Sequence, residues 1–492
     1  MTRKAIVVGG GFGGMAAAIR AHYRGYQVEL IDRGKQLGGK AATYEYEGFR
    51  HDGGPTVITA PFLLEELFSL LGERLEDHVS LVPLNPWYRY VFEDGSVFNY
   101  GGTVEETLAE IRKFDARDVD GYLKLLSKSQ DIFDIGFAQL ADKPFHQLRA
   151  MIRQLPQLMR LRGDRSVWQL VSRHIRDDHL RRAFSIQPLL VGGNPFDTTC
   201  IYSLIHYLER KWGIFFPMGG TGAIVQALDR LMRKHGIVLR LEQDVERILI
   251  DSGVARGVVL KGGETIASDI VVANTDAPYL YSHMVRKDQS SWSARLKVRS
   301  AKYSMGLFVL YFGTTKKYDE LAHHTIWMGH RYQSLLDDIF NKKILTDDFS
   351  LYIHRPTATD PSFAPEGCDS FYVLCPVPNL ESSVDWTVEG PCLRDRIVEA
   401  LDQSIMPGLK SVLTADFYKT PQDFKSSHLS LHGAAFSIAP LFTQSAWFRF
   451  HNKAEGIGNL YLVGAGCHPG AGLPGVLCSA KVFENLLDDA VA

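Results

Sequence analysis

Nothing in this chain of 492 residues is apolar for long enough to cross a bilayer. Its longest apolar run, residues 305–312, is far short of the about 18 residues that a span requires. No secretory leader is expected, because after Lys4 only residues 5–8 are apolar before glycines begin. Charge of one sign is missing too: Lys and Arg number 54, Asp and Glu 56, and the net charge is −2. That balance offers no bulk attraction to nucleic acid, and no such partner is expected. Cysteine is scarce, at six residues (Cys200, Cys368, Cys375, Cys392, Cys467 and Cys478). They form no C-x-x-C pair and no metal-ligand spacing, so reduced thiols and no metal site are expected. There is no H-E-x-x-H, and no G-x-S-x-G follows a strand, which removes zinc-protease and serine-hydrolase chemistry. No internal repeat or low-complexity segment is apparent.

What is present begins at once. Residues 5–8 are a short β-branched run, as a buried parallel strand should be. Gly9, Gly11 and Gly14 follow at G-x-G-x-x-G spacing, with Gly10 and Gly13 as extra glycines. Residues 15–24 are alanine-rich and read as a helix capped by Gly25; residues 27–31 read as a second strand ending on Asp32. Glycines let backbone N–H groups approach a pyrophosphate, the helix N-terminus favours its charge, and Asp32 can accept from a ribose diol. Strand, glycines, helix, strand and acid in order predict a dinucleotide site and an α/β, Rossmann-like fold.

A length of 492 residues predicts two or three domains. A second glycine turn, Leu37 to Ala41 with Gly39 and Lys40, is placed to approach the cofactor from its other side. Residues 49–59 pack Pro55 and Thr56 into a tight loop, and 60–71 read as an amphipathic helix. Residues 79–100 alternate, with Trp87, Tyr88, Tyr90, Phe92 and Phe98 in a hairpin turning at Asp94-Gly95. That aromatic density suits either a cavity wall or an ordinary sheet face. From 103 to 210 the pattern is helical, and within it Arg149, Arg153, Arg160, Arg162, Arg165, Arg173, Arg176, Arg181 and Arg182 outnumber Asp164, Asp177 and Asp178. Basic and apolar residues at helical spacing suit a helix lying on an anionic bilayer, or a solvated arginine-rich face. Strand patterns return after 215, with Val245 in one of them, and 302–313 and 370–378 suit a second sheet. The expected division is a discontinuous cofactor domain (1–80, 215–300 and 430–492), a substrate-binding sheet domain (81–102 and 301–429) and a helical region (103–214).

Residues 459–481 form the second informative stretch: a strand, a glycine-proline loop with Gly464, Gly466, His468 and Gly475, and a helix from about Val476. Pro469 stands where a last glycine would complete another fingerprint. One fingerprint argues for a single tightly held FAD, not a flavin beside a built-in NAD(P)H site.

Together GGGFGGMAAAIR (9–20), QLGGKAATYEYEGFRHDGGPTVIT (36–59) and YLVGAGCHPGAGLPGVLCSAK (461–481) closely resemble the bacterial-type phytoene desaturases. These belong to the carotenoid/retinoid oxidoreductases, related in fold to monoamine oxidase and to GDP-dissociation inhibitors. The resemblance runs nearly end to end. It implies a Rossmann-like FAD-binding domain, a mixed-sheet substrate domain and a helical insert. It also implies stepwise oxidation of a linear polyene, phytoene to lycopene, with hydride passing to flavin and a proton lost. Oxygen or a membrane quinone would take the electrons, and the protein would lie peripherally on the inner face of the cell membrane. The cofactor residues so implied are Gly9, Gly11, Gly13, Gly14, Asp32, Gly39, Lys40, Pro55, Thr56, Val245, Gly464, Gly466, Gly475 and Val476. Asp32 departs from many relatives, which carry Glu there. His468 and Arg153 are the candidate catalytic side chains, though a loop histidine and a solvated arginine are the plainer readings. A covalent flavin tether at Cys467 is disfavoured, and adjacent His323 and His324 are not expected to face one site. The alternatives are an amine oxidase-like enzyme and a non-catalytic prenyl-lipid carrier.

Overall fold

The computed structural model describes residues 2–147, 149 and 161–488. The strand Lys4–Val8 is the centre of a five-stranded sheet, buried from Ala5 onward as its β-branched run requires. In spatial order the sheet runs Leu460–Leu462, Ile270–Ala273, Lys4–Val8, Gln27–Ile31 and Val238–Arg240. All four pairings are parallel, so every strand delivers its C-terminal end to the same edge. The helix Phe12–Tyr23 is buried on every side along most of its length, as an alanine-rich helix can be. Against it lies the helix Leu473–Asp488. That helix starts three residues before the expected Val476, because Pro474 fits the free first turn.

Buried ion pairs fasten these chain ends together. Arg20, only 2% exposed, donates from Nη1 to Glu484 Oε2 at 2.5 Å and from Nη2 to Glu66 Oε1 at 3.1 Å. Lys481 reaches Glu66 Oε2 at 3.0 Å, and Arg24 reaches Glu484 Oε1 at 2.9 Å.

A second sheet has seven strands: Leu413–Lys419, Gly306–Thr314, Asp369–Val377, Leu351–His354, His324–Trp327, Tyr88–Val91 and Val97–Tyr100. It is mixed, with one parallel pairing between His324–Trp327 and Tyr88–Val91. Gly306–Thr314 is buried throughout. Phe308, Leu310 and Phe312 pack under the helix Trp386–Gln403, while Leu307, Val309 and Tyr311 serve a different cluster on the other face. The aromatic hairpin resolves as a sheet face: Trp87, Tyr88, Tyr90, Phe92 and Phe98 are buried among Tyr122, Phe184 and Ile326.

The middle of the chain is helical, with Val104–Arg112 and Val167–His174 each opened by a capping box (Thr103 with Glu106, Ser166 with Gln169). Leu204–Trp212 carries one face toward the space between the two sheets. Among the described residues no helix is long and apolar enough to cross a membrane.

Candidate functional site

The strand Lys4–Val8 ends at Gly9, whose φ of 97° turns the chain back over the sheet edge. Helix Phe12–Tyr23 then starts at Gly11 with no side chain capping it, so its first N–H groups are free for a ligand. Close packing dictates the glycines. A Cβ on Gly14 would lie 1.9 Å from the Gly9 carbonyl oxygen, and one on Gly13 would lie 2.6 Å from Asn274 Oδ1 and 3.2 Å from the Gly464 nitrogen. The N-terminal turn, Asn274 and the C-terminal loop therefore meet at one point. Gly11 differs: a Cβ there would meet Asn274 Nδ2 at 3.0 Å and the Gly38 carbonyl oxygen only at 3.9 Å, on the side of the cavity.

Asp32 closes the far side. Its Oδ2 accepts the Gly10 N–H and its Oδ1 the Gly34 N–H, each at 2.6 Å. Each carboxylate oxygen keeps a lone pair for a ribose hydroxyl. The second glycine turn locks on, with Gly38 N–H to Gly10 oxygen at 2.9 Å. Lys40 donates to the Ala435 carbonyl at 2.6 Å, and burial lowers its pKa while Asp276 opposes the shift. Gly54 lies so close to Lys40 that a Cβ would sit 2.1 Å from its carbonyl oxygen, which holds the Pro55-Thr56 loop over the cradle.

One cavity of about 630 Å³ runs from this cradle into an apolar chamber lined by Leu189, Val191, Met305, Leu307 and Leu374. Gly9, Gly11, Gly13, Asp32, Gly39, Lys40, Pro55, Thr56, Val245, Gly464, Gly466, Gly475 and Val476 all line it. Gly14 does not; it packs beneath the turn. The cradle fits a dinucleotide: it is too tight for side chains where backbone must approach, it presents an uncapped helix start, and the buried hydroxyl of Thr275 in its wall has no partner.

His468 lines the cavity, but its Nε2–H donates to the Leu140 carbonyl at 3.1 Å and its ring stacks edge-on to Phe145. Burial pushes its pKa to about 4, so it is a neutral loop histidine. Cys467 is buried, bonds from Sγ to the Leu462 and Gly464 carbonyls, and is pushed up to about 12 by burial; it lies outside the cavity lining, a packing thiol. Arg153 lies outside the described residues, as do Arg160 and the apolar Met151, Ile152, Leu155 and Met159. Of the rest of the basic run, Arg149, Arg173 and Arg176 are exposed, Arg162 pairs with Asp164, and Arg182 pairs with Glu93 and Asp178.

The expectation about His323 and His324 is corrected. Their ring centroids are 4.6 Å apart, and with His354 they form one buried cluster. The strand begins at His324, so strict alternation does not apply to His323 before it. Burial holds all three below the usual imidazole range, and hence neutral.

Sequence reasoning missed several residues of the site. Arg449, 1% exposed, ties the C-terminal loop from behind, donating from Nη2 to the Ala465 carbonyl at 2.6 Å and from Nε to the Cys467 carbonyl at 3.1 Å. Tyr352 lines the cavity with its hydroxyl 2.6 Å from Thr56 Oγ1 and 2.7 Å from His324 Nδ1. Asn274 and Glu209 were missed too. Only an alignment in space brings these to the cradle; no local spacing marks them.

Comparison with known proteins agrees with this geometry. The family model for flavin-containing amine oxidoreductases matches residues 12–481. A lycopene-forming phytoene desaturase of Pantoea ananas is 47% identical over 482 residues, covering 98% of both chains. A neurosporene-forming phytoene desaturase of Cereibacter sphaeroides is 41% identical, covering 99% of this chain and 95% of its own. Among solved structures, cyclohexylamine oxidase from Brevibacterium oxydans superposes over the full length of both chains with a TM-score of 0.63 at 14% identity, a likeness of fold.

Proposed function

Because the chain belongs to the flavin-containing amine oxidoreductases, and within them to the phytoene desaturases, we propose that it converts phytoene to lycopene by successive FAD-dependent desaturations in carotenoid biosynthesis. The observation that carries this reading is the continuous cavity joining a dinucleotide cradle to an apolar chamber. A hydrocarbon offers no handle for a nucleophile, so the site has to hold it dry, beside a group that takes hydride. Bound FAD supplies that hydride acceptance.

The chain's own residues do the rest. Gly9, Gly11 and Gly13 admit the pyrophosphate to free N–H groups, and Asp32 orients the ribose. Leu189, Val191, Met305, Leu307 and Leu374 exclude water from the polyene. Thr56 and Tyr352 satisfy each other's hydroxyls, so neither is left unpaired in an apolar wall.

Substrate arrives from the bilayer in this reading. The cavity lining reaches Phe145, Ala446 and Phe442, which is 38% exposed, near Phe448, which is 42% exposed. That apolar rim, together with the arginines that the sequence carries between residues 145 and 165, supports a dock on the inner face of the cell membrane. The chain carries one dinucleotide fingerprint, at residues 9–14, so the electron acceptor would be oxygen or a quinone and not a second bound nucleotide; anaerobic turnover sustained by NADP⁺ alone would contradict this.

The test is incubation of the flavin-loaded protein with phytoene in liposomes, with chromatography of the extract. Lycopene, with intermediates of fewer double bonds at early times, is expected. Protein that stays colourless with added FAD and forms no product would favour the lipid carrier.

A further inference from the structure

Each desaturation needs a base as well as a hydride acceptor. One hydrogen leaves with the electron pair of its C–H bond, as the hydride that bound FAD would accept. The neighbouring C–H bond breaks the other way, its pair becoming the new π bond and its proton going to an acceptor. Atoms and charge balance only if that acceptor is within reach of the chamber.

Four carboxyl groups line the cavity among the described residues: Asp32, Asp244, Asp276 and Glu209. Asp32 serves the glycine turn, and Asp244 adjoins it through Arg33, 3.7 Å away. Asp276 is occupied by Ser437 Oγ at 2.5 Å and the Leu431 N–H at 2.9 Å. Glu209 stands apart. It projects from the helix Leu204–Trp212, beside Leu208 in a lining that includes Val57, Ile186 and Ile326. It is 1% exposed; its Oε1 accepts the Tyr88 hydroxyl at 2.9 Å, and its Oε2 has no partner. An unpaired carboxylate oxygen in a dry wall is costly and calls for a function.

Resting on the desaturase reading above, we propose that Glu209 is the proton acceptor of the reaction, taking the substrate proton on Oε2. A carboxylate there also counters the positive charge that develops on the polyene as hydride departs. Tyr88 holds the acid in place and favours its charged form.

Burial raises the Glu209 pKa to about 8, against the opposing effects of Tyr88 and Arg210. At neutral pH the acid therefore retains a proton once it has taken one, and turnover rises with pH as more of it is ionised. The groups facing it do not titrate nearby. Tyr88, Tyr90, Tyr100 and Tyr122 are pushed upward by burial, Arg210 is raised, His206 is pushed down to about 4, and His324 lies well below its usual value.

The experiment compares wild type with Glu209→Gln, both loaded with FAD, on phytoene liposomes from pH 6 to 10. Glu209→Gln should lower kcat by roughly 10²–10⁴-fold with KM and flavin content unchanged, and abolish a rising limb near pH 8. Infrared titration should show one protonated carboxyl fewer in the variant. Tyr88→Phe, which keeps the acid, should move the limb to higher pH with the plateau rate retained. A Glu209→Gln enzyme within about threefold of wild type, with its pH limb intact, would overturn the proposal. So would an unmoved limb in Tyr88→Phe. Wild type forming lycopene in the same assay keeps the desaturase reading separate, since its failure there would strike that reading instead.

Discussion

Neutralising Glu484 should loosen the cofactor cradle from a distance. Arg20 is 2% exposed and Glu484 8%, so their pair lies out of water. Removing one partner of a buried pair costs about 3–5 kcal/mol, because the other charge is stranded. Here Arg20 keeps Glu66, itself 28% exposed, so Glu484→Gln should fall near the lower end, about 3 kcal/mol. That is a factor of roughly 10² between closed and opened forms. The two helices it unclamps both begin at glycine turns of the cradle, at Gly11 and beside Gly472, so opening should release flavin. Flavin fluorescence on release, followed through a urea titration, reads this directly. Glu264→Gln is the control: its pair with Arg240 is 57% and 37% exposed, and such pairs contribute only about 0–1 kcal/mol. If both variants release flavin at the same urea concentration, the clamp is not what holds the chain ends together and the reasoning fails.

Gly14→Ala should misfold the turn and give colourless protein, because its Cβ would overlap the Gly9 carbonyl, whereas Gly11→Val should fold with normal circular dichroism and still fail to retain FAD; retention by Gly11→Val would refute the cradle. Asp52 is 1% exposed and its pKa is raised by burial to about 7, with Arg50 opposing, Asp360 reinforcing and neutral His354 at 3.8 Å. Folded protein then holds one proton more than unfolded between about pH 4 and 7, so stability should fall as pH rises through that window, and Asp52→Asn should remove the slope and add up to about 4 kcal/mol at pH 8; equal denaturation midpoints at pH 8 would contradict this. Arg149, Arg153, Arg160 and Arg162 changed together to Glu should abolish co-sedimentation with anionic liposomes, each arginine contributing about 1 kcal/mol; undiminished sedimentation would make the segment a solvated face.

The cradle was legible because its parts are local. Strand, glycines, helix and Asp32 fall within residues 4–32, and backbone sterics force those residue types at those spacings. The sheets were legible as short apolar runs, at residues 5–8 and 302–313, and as alternation over 79–100, down to the hairpin at Asp94-Gly95. What escaped were side chains whose meaning is set by distant partners. Arg449 reads as an ordinary loop arginine until the Ala465 and Cys467 carbonyls are folded over it. Glu209 reads as the polar position of an amphipathic helix, next to Arg210 and Lys211, yet that position faces inward. His323 and His324 were misjudged because alternation was assumed one residue before the strand starts.

The order of strands in the five-stranded sheet sets a timetable for biosynthesis. Its edge strand Leu460–Leu462 docks beside Ile270–Ala273, and the loop that completes the cradle follows it. A ribosome must therefore deliver almost the entire chain before the flavin site exists. Until then the apolar chamber has one wall missing and Gly13 has no Gly464 to meet. Nascent and C-terminally clipped chains expose that surface, which makes them clients for chaperones and liable to aggregate.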